Sequence, residues 1–189
     1  MGLTKVQVTL NVYIMSFERL VRDIIATQCI RKWRQVKKEN VVSIEDSMLP
    51  EIIRIQSEGF ETKSRNGIRR YSKRMRKIFY VIKNQDKVVG YCIYYIKPVL
   101  SLKCFKKKSV IYSISIDKSF RRMGYGEKLL KESIKEMRLN GISSILLYVN
   151  TKNLPAVRLY EKIGFRVVTE IEDICGPKET CYEMELKVS

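Results

Sequence analysis

The sequence contains no histidine. That removes the usual general base near neutral pH, the Ser-His and Cys-His nucleophile systems, and most metal sites. Proton transfer is left to Tyr, Glu, Asp, Lys, Cys or water. There is no Cys-x-x-Cys pair either. The five cysteines stand at 29, 92, 104, 175 and 181, an odd number that argues against a disulfide framework and against a zinc site. Cys92 lies in an apolar run and is expected in the core. Cys175 and Cys181 could approach each other across a hairpin but are expected to be reduced, as in a cytoplasmic protein. No stretch of about eighteen apolar residues is free of charge, which speaks against a membrane span. The most apolar early stretch, Val6 to Ile30, is broken by Glu18, Arg19, Arg22 and Asp23. It lacks a small-residue cleavage signature, so it is not read as a signal peptide. Internal repeats and low-complexity linkers are missing as well. Acidic residues are scarce, 20 Asp and Glu against 37 Lys and Arg, for a net charge of +17. Such a field draws anions toward the protein. It serves solubility alone, or it attracts an anionic ligand or an RNA-bearing partner.

What is present suits a soluble globular protein: 189 residues, 45% hydrophobic and 30% charged, enough for one compact domain with its own core or for a domain plus an arm. Residues 1–38 differ from the rest and are read as an extension or accessory helix, with the domain proper at 39–189. Leu20, Ile24, Ile25 and Cys29 would form one helix face, followed by the basic run Arg31-Lys32-Trp33-Arg34 and Lys37-Lys38. Val41 to Ile44 reads as a short strand. Ser47 is placed to cap a helix carrying Leu49, Ile52, Ile53 and Ile55. A loop over 60–68 and a basic helix from Arg69 to Lys77 follow. Phe79–Ile82 and Val88–Ile96 read as strands around a turn. Ser109–Asp117 alternates, with Val110, Tyr112, Ile114 and Ile116 to one side and Ser113 and Ser115 to the other. A helix carrying Leu129, Leu130, Ile134 and Met137 ends at Asn140-Gly141. Ile145–Val149 is a strand, and Asn153–Ile163 a helix with Pro155 in its first turn and Gly164 after its end. Phe165–Ile171 and Tyr182–Val188 make a last hairpin. The order β-α-α-β-β-β-α-β-α-β-β predicts an α/β (α+β) sheet with helices on its faces.

The strongest chemical signal is Arg121-Arg122-Met123-Gly124-Tyr125-Gly126, between a strand and a helix. The first N–H groups of a helix have no internal acceptor and sit at its positive end. They bind phosphate where the chain approaches closely, which glycines at 124 and 126 permit, and the two arginines add charge-assisted contacts. The plain alternative is a glycine-containing loop with surface arginines. The turn is neither a Walker A loop nor a dinucleotide fingerprint, since the residues those need are missing.

At these residues the chain resembles the GNAT superfamily of N-acetyltransferases. The family's Arg/Gln-x-x-Gly-x-Gly/Ala signature is matched by Arg121, Gly124 and Gly126, with Ile116-Asp117 just upstream. Its Asn-x-x-Ala-x-x-x-Tyr-x-x-x-Gly-Phe segment is matched by Asn153, Ala156, Tyr160, Gly164 and Phe165. The likeness is tight over 109–166, looser over 41–108, and does not reach 1–38. It implies a mixed, mostly antiparallel sheet with central splayed parallel strands and helices on both faces. It also implies acetyl-CoA between the strands ending near Asp117 and Val149, and no metal. The pantetheine would pair with backbone of Ile114, Ser115 and Ile116. The pyrophosphate would lie on the amides of Arg122, Met123, Gly124, Tyr125, Gly126 and Glu127. Asn153 would meet the coenzyme arm, and Tyr160 would stand beside the sulfur as general acid, since a phenol of pKa about 10 keeps its proton.

The motifs resemble the RimI-like branch, which acetylates protein N-termini. That branch often carries Glu or His where this chain has Tyr148, and a neutral tyrosine is a poor base. Glu61 is the other candidate base, and an ordered water chain a third route. The resemblance thus implies acetylation of a primary amine, foremost the α-amino group of a protein, with a ribosomal one included. A small amine or lysine as acceptor, and a non-catalytic RNA- or ribosome-binding module, stand as rivals. The basic helix and the arm around Trp33 are solvated faces or an RNA contact through charge and stacking.

Overall fold

The computed structural model describes residues 21, 24–59, 65–101 and 104–188. Glu61, Leu20 and the residues around them lie outside the described residues. The elements in chain order are α1 (residues 24–31), β1 (Val41–Ser43), α2 (Leu49–Gly59), α3 (Arg65–Arg74), β2 (Phe79–Asn84), β3 (Lys87–Ser101), β4 (Cys104–Ile116), α4 (Tyr125–Leu139), β5 (Ile142–Asn150), α5 (Leu154–Ile163), β6 (Arg166–Glu172) and β7 (Thr180–Lys187). The strands form a seven-stranded sheet in the order β1-β2-β3-β4-β5-β7-β6. Neighbours run antiparallel except β4 and β5, which are parallel. This is the mixed sheet with a central parallel pair that the sequence resemblance implies.

Each face of the sheet carries its own core. On one side Ala26, Ile30 and Trp33, Leu129, Leu130 and Met137 from α4, and Val157 and Tyr160 from α5 pack on Tyr80, Cys92, Tyr94, Leu147 and Val149. On the other, Ile52 and Ile55 of α2 and Ile68 of α3 pack on Phe79, Val81, Tyr91 and Ile93. Each of these fully buried isoleucines contributes about 1.5–3 kcal/mol relative to exposure. The helix stops act as the sequence predicts: Gly141 and Gly164 follow α4 and α5 at φ +71° and +108°, values that favour glycine.

Several local expectations are corrected. The buried face of α1 is Ala26 and Ile30, with Trp33 buried just beyond its end, while Ile24 is exposed. Trp33, predicted on a basic surface, is in the core, so it offers no stacking face to RNA. Ser47 caps nothing: it sits inside a short 3-10 turn, Asp46–Met48, that precedes α2. Helix α3 opens at Arg65, ahead of the predicted Arg69, because burying Ile68 under α2 outweighs the turn preference of Asn66-Gly67. Tyr112 does not share a face with Ile114 in simple alternation. Ile93 pairs with Ser113 and Tyr94 with Ile111, which leaves Tyr112 in a bulge stacked on Tyr71 at 4.3 Å. Cys175 and Cys181, expected reduced, are joined as a disulfide with Cα atoms 6.2 Å apart. No helix among the described residues is long and apolar enough to cross a membrane.

Two features position the site. β4 and β5 pair only from Lys107↔Ile142 to Val110↔Leu146, yet β4 runs on to Ile116 and β5 to Asn150, so the sheet splits into a wedge beyond that point. Gly90, register partner of Ile116, makes room beside it: a Cβ there would meet Ile116 Cδ1 and stand 2.9 Å from the Ser115 carbonyl oxygen.

Candidate active site

The wedge is walled on the β4 side by Ile114, Ser115 and Ile116 and on the β5 side by Leu147, Tyr148, Val149 and Asn150. Leu147, Val149, Ile114 and Ile116 belong to the core under α4 and α5. Alternation therefore turns Ser115 and Tyr148 toward α2 and α3.

β4 ends at Asp117, and the turn that follows is built around its buried carboxylate. Asp117 accepts from the Ser119 N–H at 2.9 Å and is ion-paired with Arg54 of α2. Burial alone would raise its pKa; the hydrogen bonds from Arg54 and Ser119 outweigh that and hold it below the ordinary value. Arg54 also holds Glu51 at 2.7 Å and Glu58, so α2 is fastened to the end of β4. The chain then passes through Arg122 at φ 62° and Gly124 at φ 81° into α4. Among the described residues, the N–H groups of Arg122 through Glu127 have no protein acceptor. They lie at the positive end of a helix of 15 residues, an arrangement able to hold an anion.

The two glycines do different things. A Cβ on Gly124 would find no atom within 4 Å, so this position is open to a ligand, and its positive φ explains the glycine. Gly126 is an ordinary helical residue. A Cβ there would stand 3.2 Å from Leu159 of α5, so its glycine serves close helix packing. Of the arginines, Arg121 folds its Nε onto the Ile116 carbonyl at 3.1 Å, while Arg122 and the neighbouring Met123 are exposed. Tyr125 packs edge-on against Phe120. The Glu127 side chain is turned away to Lys131 at 2.8 Å and Lys162 at 2.6 Å, which hold its carboxyl down at about 2 and join α4 to α5.

Asn153 caps α5, its Oδ1 accepting from the Ala156 N–H at 3.3 Å, which leaves its amide nitrogen for a ligand. Tyr160 lies on the α4/α5 side, 6% exposed and edge-on to Phe165 at 5.8 Å. Among the described residues its hydroxyl has no hydrogen-bond partner. Burial, and then the Cys92 thiol, push the phenol well above the usual range, so it keeps its proton. On the opposite face Tyr148 is half-buried. Burial first, then the facing Glu183 carboxylate, push it up to about 12. Tyr148 and Tyr160 therefore stand on opposite faces of the sheet at the same split. Glu183, the register partner of Tyr148, is the residue that sequence reasoning missed. In sequence it is only one of two glutamates, with Glu185, that alternate with Tyr182, Met184 and Leu186.

The profile of the Acetyltransferase (GNAT) family matches residues 29–165. The chain belongs to this family. Among relatives of this GNAT protein, an N-alpha-acetyltransferase of Sulfurisphaera tokodaii is 32% identical over 111 residues, 56% of this chain and 66% of the relative. The [ribosomal protein bS18]-alanine N-acetyltransferase of Escherichia coli is 32% identical over 62 residues, 33% of this chain and 42% of the relative. The chain thus spans less than two thirds of the curated relatives' length. In fold it resembles Arabidopsis thaliana NAA60 in complex with acetyl-CoA, with TM-score 0.68 and 16% identity over 78% of this chain and 98% of that one. The GNAT match begins at residue 29, so it takes in Trp33 and the segment up to β1.

Proposed function

We propose that this GNAT-family protein is an acetyltransferase that moves acetyl from acetyl-CoA to the α-amino group of a protein or peptide N-terminus. The observation that carries this reading is the open wedge ending at the unpartnered amides of Arg122 through Glu127. It offers strand edges for an amide-bearing arm and a helix terminus for its phosphates. The residues present fit the coenzyme: backbone of Ile114, Ser115 and Ile116 takes the arm, the turn takes the pyrophosphate, and the Asn153 amide nitrogen reaches the arm's outer part. When bound, the coenzyme supplies an activated acetyl thioester. Tyr160, kept protonated by burial, is suited to give a proton to the departing sulfur.

An α-amine is favoured over lysine because its pKa is about 7.7–8.0 against about 10.4, so far more of it is neutral without help in a chain that has no histidine. The net charge of +17 repels polyamines. The relatives' names point the same way. The test offers three acceptors with acetyl-CoA: a peptide with a free N-terminus, the same peptide blocked and carrying an internal lysine, and spermidine. The highest kcat/KM is expected on the first. Preference for either of the others defeats the N-terminal reading, and no coenzyme consumption on any of them defeats the enzyme.

We further infer that the basic surface contacts RNA, as on a ribosome. Two exposed basic clusters support this reading: Arg31, Lys32 and Arg34 before β1, where Lys77 Nζ donates to the Arg31 carbonyl at 2.9 Å, and Arg69, Arg70, Lys73 and Arg74 on α3. With Trp33 buried, the contact is through charge alone.

A further inference from the structure

An amine that attacks an acyl carbon must shed a proton, and the group that receives it has to reach the face from which the amine enters. Tyr160 stands on the α4/α5 side of the split and is suited to give a proton, so the acceptor lies on the α2/α3 side. The chain has no histidine, and near neutral pH the remaining strong acceptors are carboxylates.

The carboxylates beside the split are quickly sorted. Asp117, Glu51 and Glu58 are all bound to Arg54. Glu185 is ion-paired with Lys108 at 3.1 Å and stands opposite Leu146, where β4 and β5 are still paired. Glu183 is placed differently. Its register partner is Tyr148, just past the last β4–β5 pair. Met184 lies in the core under α4 and α5, so Glu183 faces the same side as Tyr148, toward α2 and α3. It is half-buried, and among the described residues no cation is paired with it.

Among the described residues, the other titratable and charged groups on this face include Tyr91 of β3, bonded to Ser113, Tyr95 of β3, Tyr112 of β4 with Tyr71 of α3 against it, and the Lys108–Glu185 pair with Lys187 near it. On β6 the neighbour is Thr169, register partner of Glu183. Tyrosines therefore surround one carboxylate that, among the described residues, has no counter-ion, at the point where the sheet opens.

We propose that Glu183, acting through the phenol of Tyr148, is the proton acceptor for the acceptor amine. The inference rests on the acetyltransferase reading. In the step, the amine nitrogen's lone pair forms the new C–N bond to the acetyl carbonyl carbon. The C–S bond breaks with its electron pair going to sulfur. The N–H proton passes to the Tyr148 oxygen as Tyr148 passes its own proton to the Glu183 carboxylate, and sulfur takes a proton from Tyr160. Protonated Glu183 later returns its proton, through Tyr148 and solvent, to reset the Tyr160 phenolate. Tyr148 is fitted to this relay because its phenol stays protonated and so can donate to Glu183 while it accepts from the amine.

The test is the pH dependence of kcat/KM for an N-terminally free peptide, measured for the wild type, Glu183→Gln and Tyr148→Phe, with coenzyme affinity followed by calorimetry. Both variants are expected to bind coenzyme normally. Both should lose about 100-fold or more in kcat/KM at pH 7, with the loss shrinking as pH rises and hydroxide or buffer base takes the N–H proton in place of the relay. Glu183→Asp should restore part of the rate. Tyr148→Phe keeps the ring, so the test survives if Glu183→Gln does not fold. Variants within threefold of wild type at pH 7, or a loss equal at every pH, overturn the relay and leave the acetyltransferase reading standing. A wild type that acetylates no amine overturns that reading, and the relay with it.

Discussion

The indole Nε1 of Trp33 donates to Glu136 Oε1 at 2.8 Å across 103 residues of sequence. The Glu136 side chain is fully buried, and the same carboxylate accepts from Tyr80 Oη at 2.8 Å, from the Val36 N–H at 3.1 Å and from Lys38. The carboxylate of a helix that looks solvent-facing in sequence thus gathers the segment before β1 onto the sheet.

Removing a donor from this group leaves a buried charge short of partners, which costs about 1–3 kcal/mol. Trp33→Phe and Glu136→Gln are each expected to lower unfolding free energy by that order in guanidinium titrations. Their effects should also be strongly non-additive in the double variant. Additive changes below about 0.5 kcal/mol would mean that the segment 33–38 only rests on the domain. We propose instead that it is part of it.

Gly124 is the position where phosphate approach is most exposed to test. Gly124→Val combines an unfavourable φ with a branched side chain in the open space above the amides. Acetyl-CoA affinity by calorimetry is expected to fall at least tenfold, or about 1.4 kcal/mol. Gly126→Ala, by contrast, should act mainly on the packing of Leu159 and show as a change in thermal stability. Unchanged affinity in a folded Gly124→Val protein would remove the turn from the binding site.

Tyr160→Phe keeps the ring against Phe165 and removes the proton donor. A drop in kcat of about 10²–10⁴-fold with little change in coenzyme affinity is expected, read in single-turnover assays so that chemistry is rate-limiting. A kcat within threefold of wild type would make Tyr160 a packing residue.

The Asp117–Arg54 pair gives a pH signature. Asp117 has its pKa depressed from the ordinary 3.8, so its contribution is present above that value and is lost as pH falls through the lower folded value. Melting temperatures of wild type and Asp117→Asn should differ most near neutral pH and converge below about pH 4. A gap that stays constant down to pH 2.5 would show that the carboxylate's charge is not what holds α2 to β4.

RNA binding through the basic surface should be steeply salt-dependent, with log K falling by roughly 0.7 per neutralised phosphate for each tenfold rise in salt. Replacing Arg69, Arg70 and Lys73 by glutamate should flatten that slope in anisotropy titrations while leaving peptide acetylation intact. Binding that ignores salt, or that survives the replacements, would sink the assignment.

The motif-bearing half of the molecule was legible because its signals are local. The glycines that end α4 and α5, Pro155 in the first turn of α5 and helix periodicity in α4 all act within a few residues. What was not legible depends on partners far away in sequence. Trp33 sits among Arg and Lys and reads as surface until Glu136 is brought to it. The facing of Tyr112 was misread because a bulge in β4 shifts the alternation, and period-two reasoning has no way to sense an extra residue. Glu183 carries no motif at all; only the register of β7 on β5 sets it opposite Tyr148.

The split between β4 and β5 also means that the sheet has edges in its middle. The stretches 114–116 and 147–150 each pair on their outer side and present bare peptide groups inward. Sheets ordinarily leave such rows only at their rims, where charge or twist deters unwanted strands. Here the two rows face each other across the opening of the split instead. Under the coenzyme reading, an amide-bearing arm laid between them would take up peptide groups that the sheet itself leaves unpaired, so that ligand and sheet would share one hydrogen-bond ladder.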